Sequence, residues 1–152
     1  MSAGKVFVDT NILIYAYDAS AGNKHLTASQ QVADLWKAET GLISTQVLQE
    51  FYVNVTRKIS KPLNISVARS IVEDLSRWEV VTLEPDTILA AIDLQRDHLF
   101  SFWDAMIVAA AFAGGAETLL TEDLNHGQTI NGITILNPFK NTPLSQEKPC
   151  SY

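Results

Sequence analysis

Carboxylate side chains stand directly after two short apolar segments of this sequence. Asp9 follows residues 5–8 (Lys-Val-Phe-Val), and Glu122 and Asp123 follow residues 118–121 (Thr-Leu-Leu-Thr). Short apolar runs of this kind are typical of buried strands. Taken singly, Asp9 could be a helix cap and the other two could lie in a polar loop. Taken together, they are residue types that bind hard cations.

Two further carboxylates lie in segments with helical features. Asp104 is the third residue after Ser101, which matches a capping box, and the apolar run that follows favours a buried helix. Glu50 falls opposite the apolar stripe of its own helix, as a surface carboxylate would. The same face carries three polar residues that could donate to a phosphate or simply face solvent: Asn54, Arg57 and Lys61.

Carboxylates held together at one edge of a sheet would repel each other. A pair of like charges about 4 Å apart costs on the order of 4 kcal/mol at an effective dielectric constant near 20. A divalent cation would neutralise the cluster, and ligands that are all oxygens favour Mg²⁺ or Mn²⁺ over zinc. Zinc-ligand spacing is absent, because the histidines and the cysteine are scattered: His25, His98, His126 and Cys150. His126 is either a loop residue or a neighbour of the site.

Strand-like and helix-like segments alternate along the chain, which indicates a mainly parallel sheet with helices on both faces. Five strands are predicted, at 5–8, 41–44, 80–83, 118–120 and 133–135. Helices are predicted between them, with caps that include Thr10, Thr45, Ser66 and Ser101. Because ligands of such sheets bind beyond the carboxyl ends of the strands, the carboxylates are expected to gather at one functional edge. Residues 1–139 are expected to form one domain, and residues 140–152 a polar tail.

The composition excludes several classes of protein. With 47% apolar and 18% charged residues among 152, the chain is not a disordered one. Its longest apolar run, 105–113, is much shorter than the ~20 residues of a membrane span. A single cysteine and the lack of a signal-peptide pattern lead us to expect a cytoplasmic protein. The net charge of −6 means that a polyanion would need a local basic patch or a metal ion.

Several segments resemble the PIN domain family, and specifically its VapC-type toxins. The matching segments are 8–15 (Val-Asp-Thr-Asn-Ile-Leu-Ile-Tyr), 49–51 (Gln-Glu-Phe), 102–107 (Phe-Trp-Asp-Ala-Met-Ile), 120–124 (Leu-Thr-Glu-Asp-Leu) and 135–139 (Ile-Leu-Asn-Pro-Phe). The resemblance implies a three-layer α/β/α fold that carries its carboxylates at the carboxyl edge of the sheet. It also implies a ribonuclease that depends on Mg²⁺ or Mn²⁺.

The same resemblance assigns roles to individual residues. It implies an acidic quartet that binds metal and catalyses hydrolysis: Asp9, Glu50, Asp104 and Asp123. It implies four supporting residues: Thr10, Asn11, Thr121 and Glu122. In the resulting mechanism Asp9 and Asp104 are direct metal ligands, Glu50 and Asp123 complete the site, and the RNA backbone is positioned by Asn54, Arg57 and Lys61.

VapC-type relatives are usually homodimers inhibited by a small antitoxin, so the resemblance implies both kinds of partner. Three aromatic residues could serve such a partner face, although core packing is favoured for them: Phe100, Phe102 and Trp103.

Alternative functions are separated by simple features. A non-catalytic PIN-fold domain that binds RNA or protein remains open, because a fold does not fix a function. A receiver-type phosphoacceptor domain is disfavoured, since the chain lacks paired acids after an early strand. A DNA flap-type nuclease is disfavoured because those proteins are longer. Metal-dependent cleavage that is lost on substitution of Asp9 would separate the nuclease from the non-catalytic domain.

Overall fold

The computed structural model describes residues 4–140, in which six strands form one sheet. The strands are β1 (Val6–Val8), β2 (Gly41–Ser44), β3 (Glu79–Val81), β4 (Thr118–Leu120), β5 (Thr129–Ile130) and β6 (Ile133–Leu136). The α-helices are α1 (Thr10–Tyr17), α2 (Asn23–Ala38), α3 (Thr45–Arg57), α4 (Ile65–Leu75), α5 (Pro85–His98) and α6 (Phe102–Ala113). The predicted tail, apart from Lys140, and Cys150 lie outside the described residues.

The strands are arranged in the order β3-β2-β1-β4-β6-β5, and every neighbouring pair except β5 and β6 is parallel. The chain steps outward from β1 to β2 and β3, then returns to β4 on the other side of β1. Because parallel crossovers are right-handed, α1 to α4 lie on one face of the sheet and α5 and α6 on the other. The predicted three-layer α/β/α fold is confirmed, and β1 and β4 flank the point where the strand order reverses.

The core is built from the apolar strands and from α6. Phe7, Leu42 and Leu119 are fully buried in the sheet, and residues 105–111 of α6 are buried as well, as the apolar run predicts. Gly114, just after α6, brings the helix end close to β2: a Cβ atom added there would lie 2.6 Å from the Leu42 Cδ2 atom. Within residues 4–140, no helix combines the length and apolar character that crossing a bilayer requires.

Three helices begin with a cap that lies one or two residues before the predicted one. The capping side chains belong to Asp9 for α1, Ser44 for α3 and Asn64 for α4. Each of these residues has extended backbone angles, and its side-chain oxygen accepts a hydrogen bond from a backbone N–H in the first turn. The predicted caps Thr10 and Thr45 are instead the first helical residues. The cap predicted at Ser101 is correct, since its Oγ accepts from the Asp104 N–H at 3.1 Å.

The sheet has six strands, whereas five were predicted. The strand that the prediction missed is β5. β5 is two residues long and pairs antiparallel with β6 through a tight turn at Asn131 and Gly132. Both turn residues have positive φ angles, 51° and 83°, as the favoured two-residue hairpin turn requires. The Asn-Gly dipeptide is the strongest short hairpin signal in a sequence, so this strand could have been found.

Candidate active site

A groove of about 510 Å³ lies at the carboxyl ends of β1 and β4 and contains four carboxylates. They come from four different parts of the fold, namely the end of β1, the middle of α3, the first turn of α6 and the loop after β4: Asp9, Glu50, Asp104 and Asp123. These are the members of the predicted quartet. The groove thus lies where the strand order reverses, which is where open parallel sheets bind their ligands.

Asp9 is the most buried of these carboxylates, with 6% of its surface exposed. Its Oδ1 accepts from the Thr10 N–H at 2.7 Å, and its Oδ2 accepts from the Thr121 hydroxyl at 2.8 Å. Burial, together with the charges of Asp123 and Asp104, raises the pKa of Asp9 from 3.8 to about 7. The two hydrogen bonds lower the pKa but do not offset these effects. At neutral pH this carboxyl group is therefore poised between a bound proton and a negative charge.

Glu50 turns into the groove because α3 is covered on two sides. Phe51 and Val55 are buried, while α1 packs across the neighbouring face of the helix. The Thr10 hydroxyl donates to Glu50 Oε1 at 2.7 Å, and Gln46 Nε2 donates to Oε2 at 3.2 Å. A helical wheel drawn from sequence places Glu50 opposite the apolar stripe but cannot show that α1 closes over this side.

Asp104 and Asp123 both line the groove. Burial raises the pKa of Asp104, and the nearby charges of Asp123 and Glu50 add to this effect. Asp123 is exposed, and its Oδ2 accepts from Asn11 Nδ2 at 2.9 Å. These electrostatic effects show that the carboxylates act on one another, as expected for a cluster that is short of positive charge.

The supporting residues Thr10, Asn11 and Thr121 all contact a carboxylate of the quartet. Thr121 has two contacts, since its Oγ1 donates to Asp9 and accepts from the Asp123 N–H at 3.1 Å. Thr121 thereby ties the loop after β4 to the end of β1. Asn11 also lines the groove, and its Oδ1 is a buried oxygen without a hydrogen-bond partner among the described residues.

Glu122 lies outside the groove, although it is adjacent to Asp123. It accepts a hydrogen bond from the Tyr15 hydroxyl at 2.7 Å and pairs with Lys24. The Lys24 ammonium lies over the rings of Tyr15 and Phe139, at 5.0 and 5.3 Å from their centroids. The geometry therefore gives Glu122 a structural contact between the loop, α1 and α2.

The predicted RNA-contacting residues are distributed over different surfaces. Asn54 lines the groove, whereas Arg57 lines a separate cavity and Lys61 is exposed beyond the end of α3. Lys58 lines the groove and was missed. It lies eight residues after Glu50 and four after Asn54. Extending the four-residue helical spacing from Glu50 through Asn54 would therefore have predicted it. Lys61 was predicted to share the helical face of Glu50, but the helix ends at Arg57.

His126 and the aromatic residues take different positions. His126 accepts from the Asn137 N–H through Nδ1 at 3.0 Å and does not line the groove. Phe100 and Phe102 pack against the core, as favoured from the sequence. Trp103 is 63% exposed and lines the groove.

The donor set suits a hard divalent cation, since every candidate ligand in the groove is an oxygen atom. The unpartnered Asn11 Oδ1 adds one more such atom. As the side chains are arranged, however, no three His, Cys, Asp or Glu residues within residues 4–140 stand close enough together to hold an ion. Mg²⁺ commonly keeps several water ligands and is held by one or two carboxylates, so the donor set of this groove remains suited to it.

Comparison with known proteins identifies the fold and the family. The family model described as PIN domain matches residues 6–129, while no curated protein matches the chain. Among solved structures, a toxin–antitoxin complex from Klebsiella pneumoniae is 22% identical with a TM-score of 0.66, over 88% of this chain and 98% of that one.

Two further solved structures share the fold. The complex VapBC2 from Rickettsia felis, bound to a DNA fragment of its promoter, is 24% identical with a TM-score of 0.61, over 87% of this chain and 97% of that one. VapC20 from Mycobacterium tuberculosis, a toxin that cleaves the sarcin-ricin loop, is 22% identical with a TM-score of 0.59, over 76% of this chain and 87% of that one. The match of the family model over most of the sequence shows that this chain belongs to the PIN domain family.

Proposed function

We propose that this chain is an endoribonuclease that depends on Mg²⁺ or Mn²⁺ and acts as the toxin of a toxin–antitoxin pair. The observation that carries the proposal is the convergence of Asp9, Glu50, Asp104 and Asp123 on one groove at the carboxyl ends of β1 and β4. Such a cluster is electrostatically unfavourable by itself and becomes useful when a cation neutralises it. The solved structures that share the fold include a toxin that cleaves the sarcin-ricin loop, which supports RNA as the substrate class.

Each carboxylate has a role that follows from its surroundings. Asp9 and Asp104 would hold the cation, since burial disfavours their unpaired charges. When bound, the cation would polarise the phosphate and lower the pKa of a water molecule. Glu50 and Asp123 would complete the site and orient the attacking water or take its proton. Thr10 and Thr121 fix Glu50 and Asp9 by hydrogen bonds, so these carboxylates need little reorganisation.

The substrate would be positioned by few basic groups. Among the described residues that line the groove, Lys58 is the one cation, and Asn54 adds an amide beside it. A net charge of −6 gives the chain no general attraction for RNA. Binding would therefore depend on the cation in the groove together with these local contacts.

A protein partner is part of the proposal. The Klebsiella and Rickettsia relatives were solved as toxin–antitoxin and VapBC complexes. A nuclease whose groove is open to solvent needs inhibition, and an antitoxin that covers the groove would provide it. We further propose that the toxin is a homodimer and acts in the cytoplasm, as the VapC-type resemblance implies.

RNA cleavage by purified protein tests the proposal. The chain would be incubated with structured and unstructured RNAs in Mg²⁺, Mn²⁺ or EDTA, beside Asp9→Asn and the matched control Asp34→Asn, which removes an exposed carboxylate of α2. We expect cleavage that needs the metal, is lost in Asp9→Asn and persists in Asp34→Asn. Turnover that survives in Asp9→Asn would refute the assigned site. Metal binding without any cleavage would favour a non-catalytic PIN-fold domain.

A further inference from the structure

Trp103 is a large aromatic side chain that stands in the acidic groove with most of its surface exposed. Its exposed fraction is 63%, and it lines the same groove as the adjacent Asp104. An exposed indole in a groove can gain free energy when another molecule covers it. The proposed chemistry of the carboxylates gives this side chain no role.

The indole is held on a rigid support. Phe102 is half-buried against the core and packs edge-to-face on Trp103, with ring centroids 5.0 Å apart and an interplanar angle of 72°. Both residues lie in the first turn of α6, which Ser101 caps and whose next residues, 105–111, are buried. A ring that packs on such a neighbour loses less conformational freedom on binding a planar partner than a ring without that contact would.

Other apolar side chains line the same groove as Trp103. Ile107 lies one turn further along α6 and is 3% exposed, and Val53 of α3 is 43% exposed. The carboxylates and these apolar side chains therefore share one groove. A molecule that fills it must present charged groups that are close to a planar or apolar group, as a nucleotide does.

Charge alone cannot hold a polyanion in this groove. Of the described residues that line it, four are carboxylates and only Lys58 is a cation. Proteins that bind single-stranded nucleic acid gain affinity from bases stacked on aromatic rings, and a single stack changes the affinity by roughly 5- to 150-fold. Stacking does not depend on net charge, so it suits an acidic chain.

We propose that Trp103 is a stacking platform for one base of single-stranded RNA, next to the phosphate that lies at the carboxylates. The inference rests on the proposed function for the class of substrate, but it concerns binding and not cleavage. It makes Trp103 a residue that selects unpaired RNA, since a base within a duplex cannot reach the ring.

The test measures binding with the base removed from the ligand. The two ligands are an adenosine decamer and a decamer of the same backbone with reduced abasic sugars. The protein background is the full chain with Asp9→Asn in Mn²⁺, which prevents cleavage during the measurement. The variants are Trp103→Ala, Trp103→Phe and the matched control Phe112→Ala, which removes an aromatic that is 57% exposed on the same helix but outside the groove.

We expect Trp103→Ala to weaken binding of the adenosine decamer about tenfold and to leave binding of the abasic decamer unchanged. Trp103→Phe should retain most of the affinity, and Phe112→Ala should retain all of it. An equal loss for both ligands would overturn the proposal, because Trp103 would then only shape the groove. Unchanged binding in Trp103→Ala would also overturn it and would leave a protein partner as the occupant of this part of the groove.

A second measurement uses fluorescence in the same Asp9→Asn background with Mn²⁺. The decamer should quench tryptophan fluorescence in this chain and after Trp36→Phe is added, but not after Trp103→Phe is added. Quenching that persists in Trp103→Phe would contradict stacking at this site. A base-dependent effect of Trp103 without any cleavage would support the platform and refute the nuclease, whereas cleavage without such an effect would do the reverse.

Discussion

At the scale of single residues, Asp9 explains why the groove suits a cation. Its carboxyl group is buried, accepts two hydrogen bonds and still has a pKa raised to about 7, because burial and two neighbouring carboxylates outweigh the hydrogen bonds. A proton and a metal ion would therefore compete for the same oxygen atoms. While neither a proton nor a metal ion is bound, the charged form of Asp9 lowers the free energy of unfolding.

This cost predicts how stability changes with pH in the metal-free protein. The pKa of Asp9 is about 7 in the folded chain and 3.8 as the unfolded reference, so the folded state binds the proton more tightly. The stability that this proton contributes is complete below pH 4, falls between pH 4 and 7, and is lost above pH 7. Asn cannot ionise, so Asp9→Asn should raise the free energy of unfolding above pH 7 by up to about 4 kcal/mol.

Urea denaturation in EDTA at pH 4.5, 6.0 and 7.5 measures this difference. The gap between Asp9→Asn and the parent should be widest at pH 7.5 and should close toward pH 4.5. Asp34→Asn provides the baseline, because that carboxylate is exposed. A gap of constant size would show that the substitution acts through packing and not through charge.

Single residues were predicted from the sequence to different degrees, for physical reasons. The positions of Asp9 and Asp123 could be predicted because each follows a strand of a parallel sheet, whose carboxyl ends meet at one edge. The contact of Glu122 with Tyr15 and Lys24 could not be predicted, since it depends on which of two adjacent side chains turns outward after β4. Lys58 was missed because the prediction went from Asn54 to Arg57 and Lys61, and not by four residues from Asn54 to Lys58.

At the scale of elements, the position of α6 decides where Asp104 stands. The helix is buried over most of its length and ends at Gly114 against β2. The close approach is possible because Gly114 has no Cβ atom, which would lie 2.6 Å from Leu42 Cδ2 and 2.9 Å from Val81 Cγ2. Both ends of α6 are thus fixed, one by the cap at Ser101 and the other by the glycine.

Gly114→Ala should therefore destabilise the fold by about 1–3 kcal/mol, which is typical of an overpacked core. Its backbone angles are acceptable for alanine, with φ −84° and ψ −5°, so strain in the chain is not the cause. Thermal or urea denaturation measures the effect. Ala113→Ser, at the exposed preceding position, should change stability by less than about 0.5 kcal/mol. Equal stability of Gly114→Ala and the parent would mean that Leu42 and Val81 yield freely.

The order of elements was largely predictable, because alternation of strands and helices leaves few topologies open. The boundaries were less so. The caps of α1 and α3 lie one residue earlier than predicted, since both neighbours can accept a backbone hydrogen bond and only the backbone angles decide between them. β5 has two residues, too few to produce a hydrophobic pattern, and only its Asn-Gly turn marks it.

At the scale of the whole molecule, the net charge of −6 limits how RNA can bind. An acidic chain gains nothing from long-range attraction, so each basic group near the groove matters individually. Lys58 lines the groove, whereas Arg57, the preceding residue, lines another cavity on the same helix. The two residues therefore form a natural pair for testing where the RNA backbone runs.

Lys58→Ala should weaken RNA binding several-fold and lower the slope of log affinity against log salt concentration by about 1. Arg57→Ala should leave both quantities close to those of the parent chain. The measurement is RNA affinity in the Asp9→Asn background at four salt concentrations. A larger effect for Arg57→Ala would move the RNA path to the cavity beside Tyr52 and Leu63.

The two ends of the sheet limit how this chain can assemble. Within residues 4–140 the edge strands are β3 and β5, with three and two residues, and Glu79 of β3 pairs with Lys5 at 3.0 Å. Edges this short offer a neighbouring chain few free backbone groups. A homodimer or an antitoxin complex would therefore use helix and loop surfaces more readily than strand addition. The affinity of such a complex and its choice of partner would then depend on side-chain packing, which single substitutions can change.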